Sequence, residues 1–200
     1  MAMHAELWFP SVVWSSIIHN IDKKSLKHFV YDRKKNDIGN TITAFNGYQS
    51  SSILPNENEQ IDLLVETVNT EVKNCCQQTG LDDIELNDIW INVLPAGSYL
   101  NMHTHKDSVL SGIYFVDSSD QSGKLLFERS DSGNYHLTEN VREATYYSTT
   151  HAHYASKPGA LYIFSGWMRY GIEGNRSNKD QISIGFTYNV VYAFVSANHY

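Results

Sequence analysis

From Ile89 onward the chain breaks into short β-prone runs, and this constrains its fold more than any other feature. The runs are Ile89–Leu94, Ser98–His103, Val109–Val116, Lys124–Phe127, Ala160–Phe164 and Gln181–Tyr188. Turn signals separate them: Pro95-Ala-Gly97, Asp117-Ser-Ser-Asp120, Lys157-Pro-Gly159 and Gly174-Asn175. Many short strands at this spacing predict a β-sandwich or a jelly roll. Arg129 to Thr150 shows no periodicity. A stretch of that length on a jelly roll is expected to wall an opening.

The preceding third of the chain is of different texture. Leu7 to Ile18 is rich in Trp, Phe, Val and Ile and reads as one or two strands broken at Pro10. Asp22 to Lys35 predicts a short helix with Leu26, Phe29 and Val30 on one face. A longer helix follows, with Asn56 as its cap, Glu59 as capping-box partner and Gly80 at its end. Its apolar stripe is Ile61, Leu64, Val65, Val68 and Val72. The 200 residues therefore read as one domain, with helical support over about 20–82 and a β core over about 88–190.

A net charge of −7 argues against nucleic-acid binding, which needs a basic face. The two cysteines, Cys75 and Cys76, are adjacent within the predicted second helix, and neighbours make only a strained disulfide. A reducing, cytoplasmic setting is the expectation. No signal peptide and no run near the ~20 apolar residues of a membrane span is present.

Four of the nine histidines form two His-x-His pairs, His103-Thr-His105 and His151-Ala-His153. Residues two apart on a strand share a face, so each pair can present two imidazoles at one point. Asp107 extends the first pair by two positions. Two imidazoles and a carboxylate on one face suit non-haem iron. The alternative is polar residues at a strand end for the first pair and solvated loop histidines for the second. His4, His19, His28, His136 and His199 lack a partner pattern and read as surface or structural residues.

Several segments resemble, in order, a family of Fe(II)/2-oxoglutarate oxygenases. They are Asn46-Gly-Tyr-Gln-Ser50, Trp90-x-Asn92 with Gly97 and Asn101, His103-x-His105, Leu110-Ser-Gly-Ile-Tyr-Phe115 and Ser122-Gly-Lys-Leu-Leu-Phe127. Lys157-Pro-Gly-Ala-Leu-Tyr-Ile-Phe164 with Trp167, and Gln181-Ile-Ser-Ile-Gly-Phe186, complete the series. The resemblance spans roughly residues 7 to 190. It implies a double-stranded β-helix, a cupin-like jelly roll with iron at its open end. It also implies a dioxygenase-like oxidoreductase that uses dioxygen on a small or amino-acid-like substrate, by hydroxylation or oxidative decarboxylation.

Two positions depart from the family pattern. Where the resemblance implies a distal metal-binding His, this chain reads Trp167-Met-Arg-Tyr170. Where it implies a basic residue for the far carboxylate of 2-oxoglutarate, the chain has Gln181, and a neutral amide is a poor substitute for a charged fork. Three repairs are open. Tyr170 ligates as phenolate, which suits Fe(III) or Cu(II), and acts as the catalytic residue. His151 and His153 complete the shell, a set compatible with copper or zinc. Arg176, Arg169 or Lys157 holds an acidic co-substrate. Dependence on 2-oxoglutarate is therefore in doubt.

Asn92 and Asn101 flank the first pair as candidates to orient ligands or a cofactor, or equally to satisfy strand-end backbone. Tyr99, Tyr147 and Trp167 are candidate substrate contacts, against a reading as core or exposed loop; Tyr146 shares the loop reading. A homodimer paired through the N-terminal helices is also expected by resemblance. The competing reading is a non-catalytic jelly roll that binds a small acid, a metal or a protein partner.

Overall fold

The computed structural model describes residues 3–4, 6, 8–40, 43–81, 84–131 and 141–190. His136 and His199 lie outside these residues, as does the middle of the aperiodic segment. Two antiparallel sheets face each other. The strands are β1 (Val13–Ile17), β2 (Ala44–Phe45), β3 (Tyr48–Gln49), β4 (Ile84–Leu94), β5 (Tyr99–His103), β6 (Leu110–Asp117) and β7 (Leu125–Glu128). The series ends with β8 (His151–Tyr154), β9 (Ala160–Ser165), β10 (Arg169–Ile172) and β11 (Gln181–Val190). One sheet runs β1-β9-β6-β11-β4-β3 and the other β2-β5-β10-β7-β8. This is the expected jelly roll. Its six predicted runs are where the sequence places them, whereas β2, β3, β8 and β10 fall outside those runs.

The two helices, α1 (Lys23–Asn36) and α2 (Glu59–Thr79), cover the outer face of the six-stranded sheet. Asp22 caps α1 by accepting from Lys24 N and Ser25 N, and Leu26 and Val30 are wholly buried. The cap of α2 is Asn58, two residues later than expected. Its carboxamide accepts from Gln60 N and Ile61 N, while Asn56 sits in the preceding turn at φ 66°. Gly80 ends α2 in the left-handed conformation its position predicts. Ile61, Leu64, Val68, Val72 and Cys75 form the buried stripe, each large apolar side chain contributing about 1.5–3 kcal/mol. Cys75 and Cys76 are both buried, without a disulfide. No described helix is long and apolar enough to cross a membrane.

Alternation along the strands assigns every side chain of the six-stranded sheet. On β11, Ile182, Ile184, Phe186 and Tyr188 pack under the helices. Gln181, Ser183, Gly185 and Thr187 therefore face the space between the sheets. On β4 the helix-facing set is Ile89, Ile91 and Val93, which turns Trp90, Asn92 and Leu94 inward. The interior is filled largely by rings: Phe115, Phe127, Tyr162, Phe164 and Tyr170.

Candidate metal centre at the barrel mouth

His103 ends β5, and a bulge decides which way it points. Tyr170 pairs with His103 and Ile172 with Leu100, so two steps on β10 oppose three on β5. Tyr170 and Ile172 are buried between the sheets, and directly opposed residues share a face. Leu100 and His103, three apart, thus both turn inward, which a regular strand forbids. Gly171 makes this possible, since a Cβ there would lie 2.7 Å from Leu100 O and 2.9 Å from Met102 Sδ.

His105 lies just past the strand. Its N–H donates to Gly166 O at 2.9 Å, and its carbonyl accepts from Ser108 N at 2.9 Å. Gly166 approaches so closely that a Cβ would fall 2.7 Å from His105 O and 2.1 Å from Ser108 O. The turn that launches β10 is thereby locked to the histidine loop. Ring centroids of His103 and His105 are 5.0 Å apart, and Tyr170 stands 4.4 Å from the first and 5.6 Å from the second. His105 Nε2 and Tyr170 Oη are hydrogen-bonded at 2.8 Å. His103 Nδ1 lies 2.7 Å from Asn101 O, so it is the protonated nitrogen and Nε2 is left with its lone pair.

Burial governs the electrostatics. It lowers the His103 pKa, and together with the neighbouring His103 it brings His105 down to about 4. It pushes the fully enclosed Tyr170 phenol well above its usual range, against a hydrogen bond from Ser111 that acts the other way. All three groups are neutral near pH 7 without a metal. A positive ion supplies what desolvation has removed, because it stabilises imidazole lone pairs and the ionised phenol alike.

The other predicted site residues fall elsewhere. Asp107 is in an exposed turn, and no three His, Cys, Asp or Glu side chains cluster to hold a metal among the described residues. His151 and His153 are exposed on β8, three strand spacings or about 14 Å from β5. Ala152 between them and Tyr154 after them pack inward, so the pair faces out; His153 Nδ1 meets Glu173 Oε1 at 3.1 Å. Arg169 also faces out and pairs with Glu128 at 3.1 Å, and Arg176 and Lys157 are exposed. The Asn101 side chain is spent on Thr43 O, and its backbone carbonyl, rather than its amide, orients His103. Tyr99 stacks on Phe45 at 4.8 Å beside an outer groove of about 410 Å³ that Arg169 also lines. Tyr147 is exposed, and Trp167 is half exposed on the turn before Tyr170.

Gln181 is buried at 1 % exposure. Its Nε2 donates to Gly123 O at 2.8 Å and its Oε1 has no partner. Asn92, equally buried, has an unpartnered Oδ1. Two wall groups carry no signal of their own in the sequence. They are the Trp90 ring, 5.3 Å from His105, and Ser111 beside the Tyr170 phenol. Both lie in segments that carry the resemblance, and strand alternation points them inward.

A jelly roll with two imidazoles and a phenol converging between strands at its mouth has the form of a non-haem metal oxygenase fold. The chain belongs to the family described as "Putative 2OG-Fe(II) oxygenase", whose model matches residues 88–187. The structure is similar to a prolyl-4-hydroxylase from Pseudomonas putida, with TM-score 0.62 and 12% identity over 90% of this chain and 94% of that one. It is similar to the viral collagen prolyl hydroxylase of Paramecium bursaria Chlorella virus-1, solved as a 2OG complex, with TM-score 0.61 and 13% identity over 89% and 96%. HygX from Streptomyces hygroscopicus, with nickel and 2-oxoglutarate bound, gives TM-score 0.61 and 9% identity over 91% and 84%. No curated protein matches the sequence.

Proposed function

We propose that this chain is an atypical iron-dependent oxygenase of its family, acting with dioxygen on a small or amino-acid-like molecule. The carrying observation is the convergence of His103, His105 and Tyr170 on one point between β5 and β10. Imidazole nitrogens and a phenolate oxygen are suitable iron donors. The set fits Fe(II) and, because phenolate is hard, fits Fe(III) or Cu(II) better still; zinc is a weaker match. Iron held there supplies the activation of dioxygen.

The protein's own residues prepare that point. Asn101 O holds His103 in the tautomer that leaves Nε2 available. Tyr170 would hold the ion through Oη as phenolate, with His103 and His105 as its imidazole partners. Trp90, Phe164 and Phe127 form walls that keep water off one side of the centre. Trp167, half exposed on the same turn, is the substrate-facing aromatic.

The interior behind the histidines offers the far carboxylate of 2-oxoglutarate no buried cation. The buried polar side chains of the described residues include no Lys or Arg, and the unpartnered atoms facing the space are acceptors. A second reading, a metal-free jelly roll that binds a small acid or a protein partner, is favoured by one observation. The Tyr170 phenol and His105 satisfy each other by a direct hydrogen bond at 2.8 Å. Elemental analysis of purified protein separates the two. Stoichiometric iron that is lost in His103→Ala supports the oxygenase, and metal-free protein unaffected by that change supports the binder.

A further inference from the structure

We infer that the open edge of β1 pairs with the same edge of a second copy of this chain, joining two six-stranded sheets across a two-fold axis at Ser15. The inference does not depend on the metal reading. β1 ends its sheet, with β9 on one side and no strand beyond it among the described residues. Ile18 N donates to Gly159 O at 2.8 Å, so strand alternation points the backbone groups of Trp14 and Ser16 toward β9 as well. The N–H and C=O groups of Val13, Ser15 and Ile17 therefore line the open side.

An unpaired strand edge is a template for another strand, and folds blunt such edges with charge, proline or brevity. At the other three sheet edges, β2 and β3 are two residues each, and β8 presents two histidines, one ion-paired to Glu173. β1 has none of these protections. It is five residues long without Pro or Gly, and no Asp, Glu, Lys or Arg occurs between Glu6 and Asp22. Ile17 on β1, and Trp8 and Phe9 just ahead of it, are exposed. Open backbone groups beside uncovered apolar side chains fit a partner strand of uncharged, partly apolar sequence.

β1 is itself such a strand. In antiparallel register about the axis, Val13 stands opposite Ile17 of the second copy and Ser15 opposite Ser15. These three hydrogen-bonded pairs use every open group of β1, six bonds in all. Val13 packs toward the interior and Trp14 toward the helices, so by alternation Ile17 shares the face of Val13 and Ser16 that of Trp14. Apolar Val13 thus meets apolar Ile17. The large Trp14 meets the small Ser16, at the rim of a crevice of about 210 Å³ between β1 and α2. Shifting the register by two residues would set the two Trp14 rings against each other and leave Ile17 without a partner on β1.

Sedimentation velocity of the intact protein from about 1 to about 100 µM, a range in keeping with a small interface, tests this. The expected result is a concentration-dependent shift from 22.8 kDa toward twice that mass. Ser15→Lys and Ser15→Glu each place like charges face to face at the axis and should each weaken the dimer about fivefold or more. Mixed in equal amounts, they place opposite charges there and should restore it, which also shows that both variants fold. Ser15→Pro loses an N–H that faces outward in the single chain. It should remove both bonds of the central pair and leave the urea midpoint of dilute protein unchanged. A single-chain mass at every concentration, a dimer insensitive to all three changes, or no recovery on mixing would overturn the inference. Insensitivity would mean that association uses another face, such as the helices.

Discussion

Tyr170 Oη is hydrogen-bonded to His105 Nε2 at 2.8 Å, and the two residues, 65 positions apart, meet at the mouth of the barrel. By the resemblance read from the sequence, the phenol stands where an imidazole is expected. The phenol reaches further from its Cα than an imidazole does, and its ionisable oxygen comes to rest beside both histidine rings. The bond predicts a spectroscopic outcome. Iron(III)- or copper(II)-loaded protein should absorb visible light through phenolate-to-metal charge transfer, and Tyr170→Phe should bleach it while far-ultraviolet dichroism is unchanged. A band that survives Tyr170→Phe would place a different donor on the metal.

The two histidine pairs should separate cleanly under mutation. His103→Ala and His105→Ala each remove one of three donors and should lower iron content by tenfold or more at matched protein concentration. His151→Ala and His153→Ala act on the outer face of β8 and should leave it unchanged. Loss of metal from the second set would mean that His151 or His153 is also a ligand.

Gly171→Ala tests the bulge. The added methyl meets Leu100 O and Met102 Sδ, and backbone cannot yield as a side chain does. Destabilisation of about 1–3 kcal/mol in urea unfolding is expected, together with loss of iron, because the bulge is what turns His103 inward. Stability lost with metal binding intact would show that the bulge supports only the sheet.

Acid sensitivity should trace in part to Asp37. Burial alone would raise its carboxyl, but donors from Gly39 N, Ser51 N, Ser51 Oγ and Tyr48 Oη outweigh it and hold the pKa at about 2. A depressed folded-state value contributes stability above the unfolded carboxyl's pKa near 4. That contribution is lost as pH falls from there through about 2. Asp37→Asn should therefore cost of order 1–2 kcal/mol at pH 7 and progressively less below pH 4, as read by denaturant midpoints. A cost that does not change with pH would assign the effect to packing.

Much of this was legible in the residues themselves. The period-2 runs and their turns gave the jelly roll, and 3.6-residue spacing with capping residues gave both helices. Collinear motifs put Tyr170 at the distal position. The α2 cap was misplaced by two residues because Asn56 and Asn58 are both competent, and only the chain's path chooses between them. Arg169 and Arg176 looked available to an acidic ligand, since side-chain length says nothing about which face of a sheet a residue occupies.

What the sequence determined by itself is local: alternation, caps, turns and the residue types available at each motif. The tertiary structure alone decided which of these types meet. Strand order put two strands between the histidine pairs, and one extra residue in β5 turned His103 toward Tyr170. Packing removed water from Asn92 and Gln181 and left their oxygens without donors. Such facts depend on contacts between residues tens of positions apart, which no local pattern encodes.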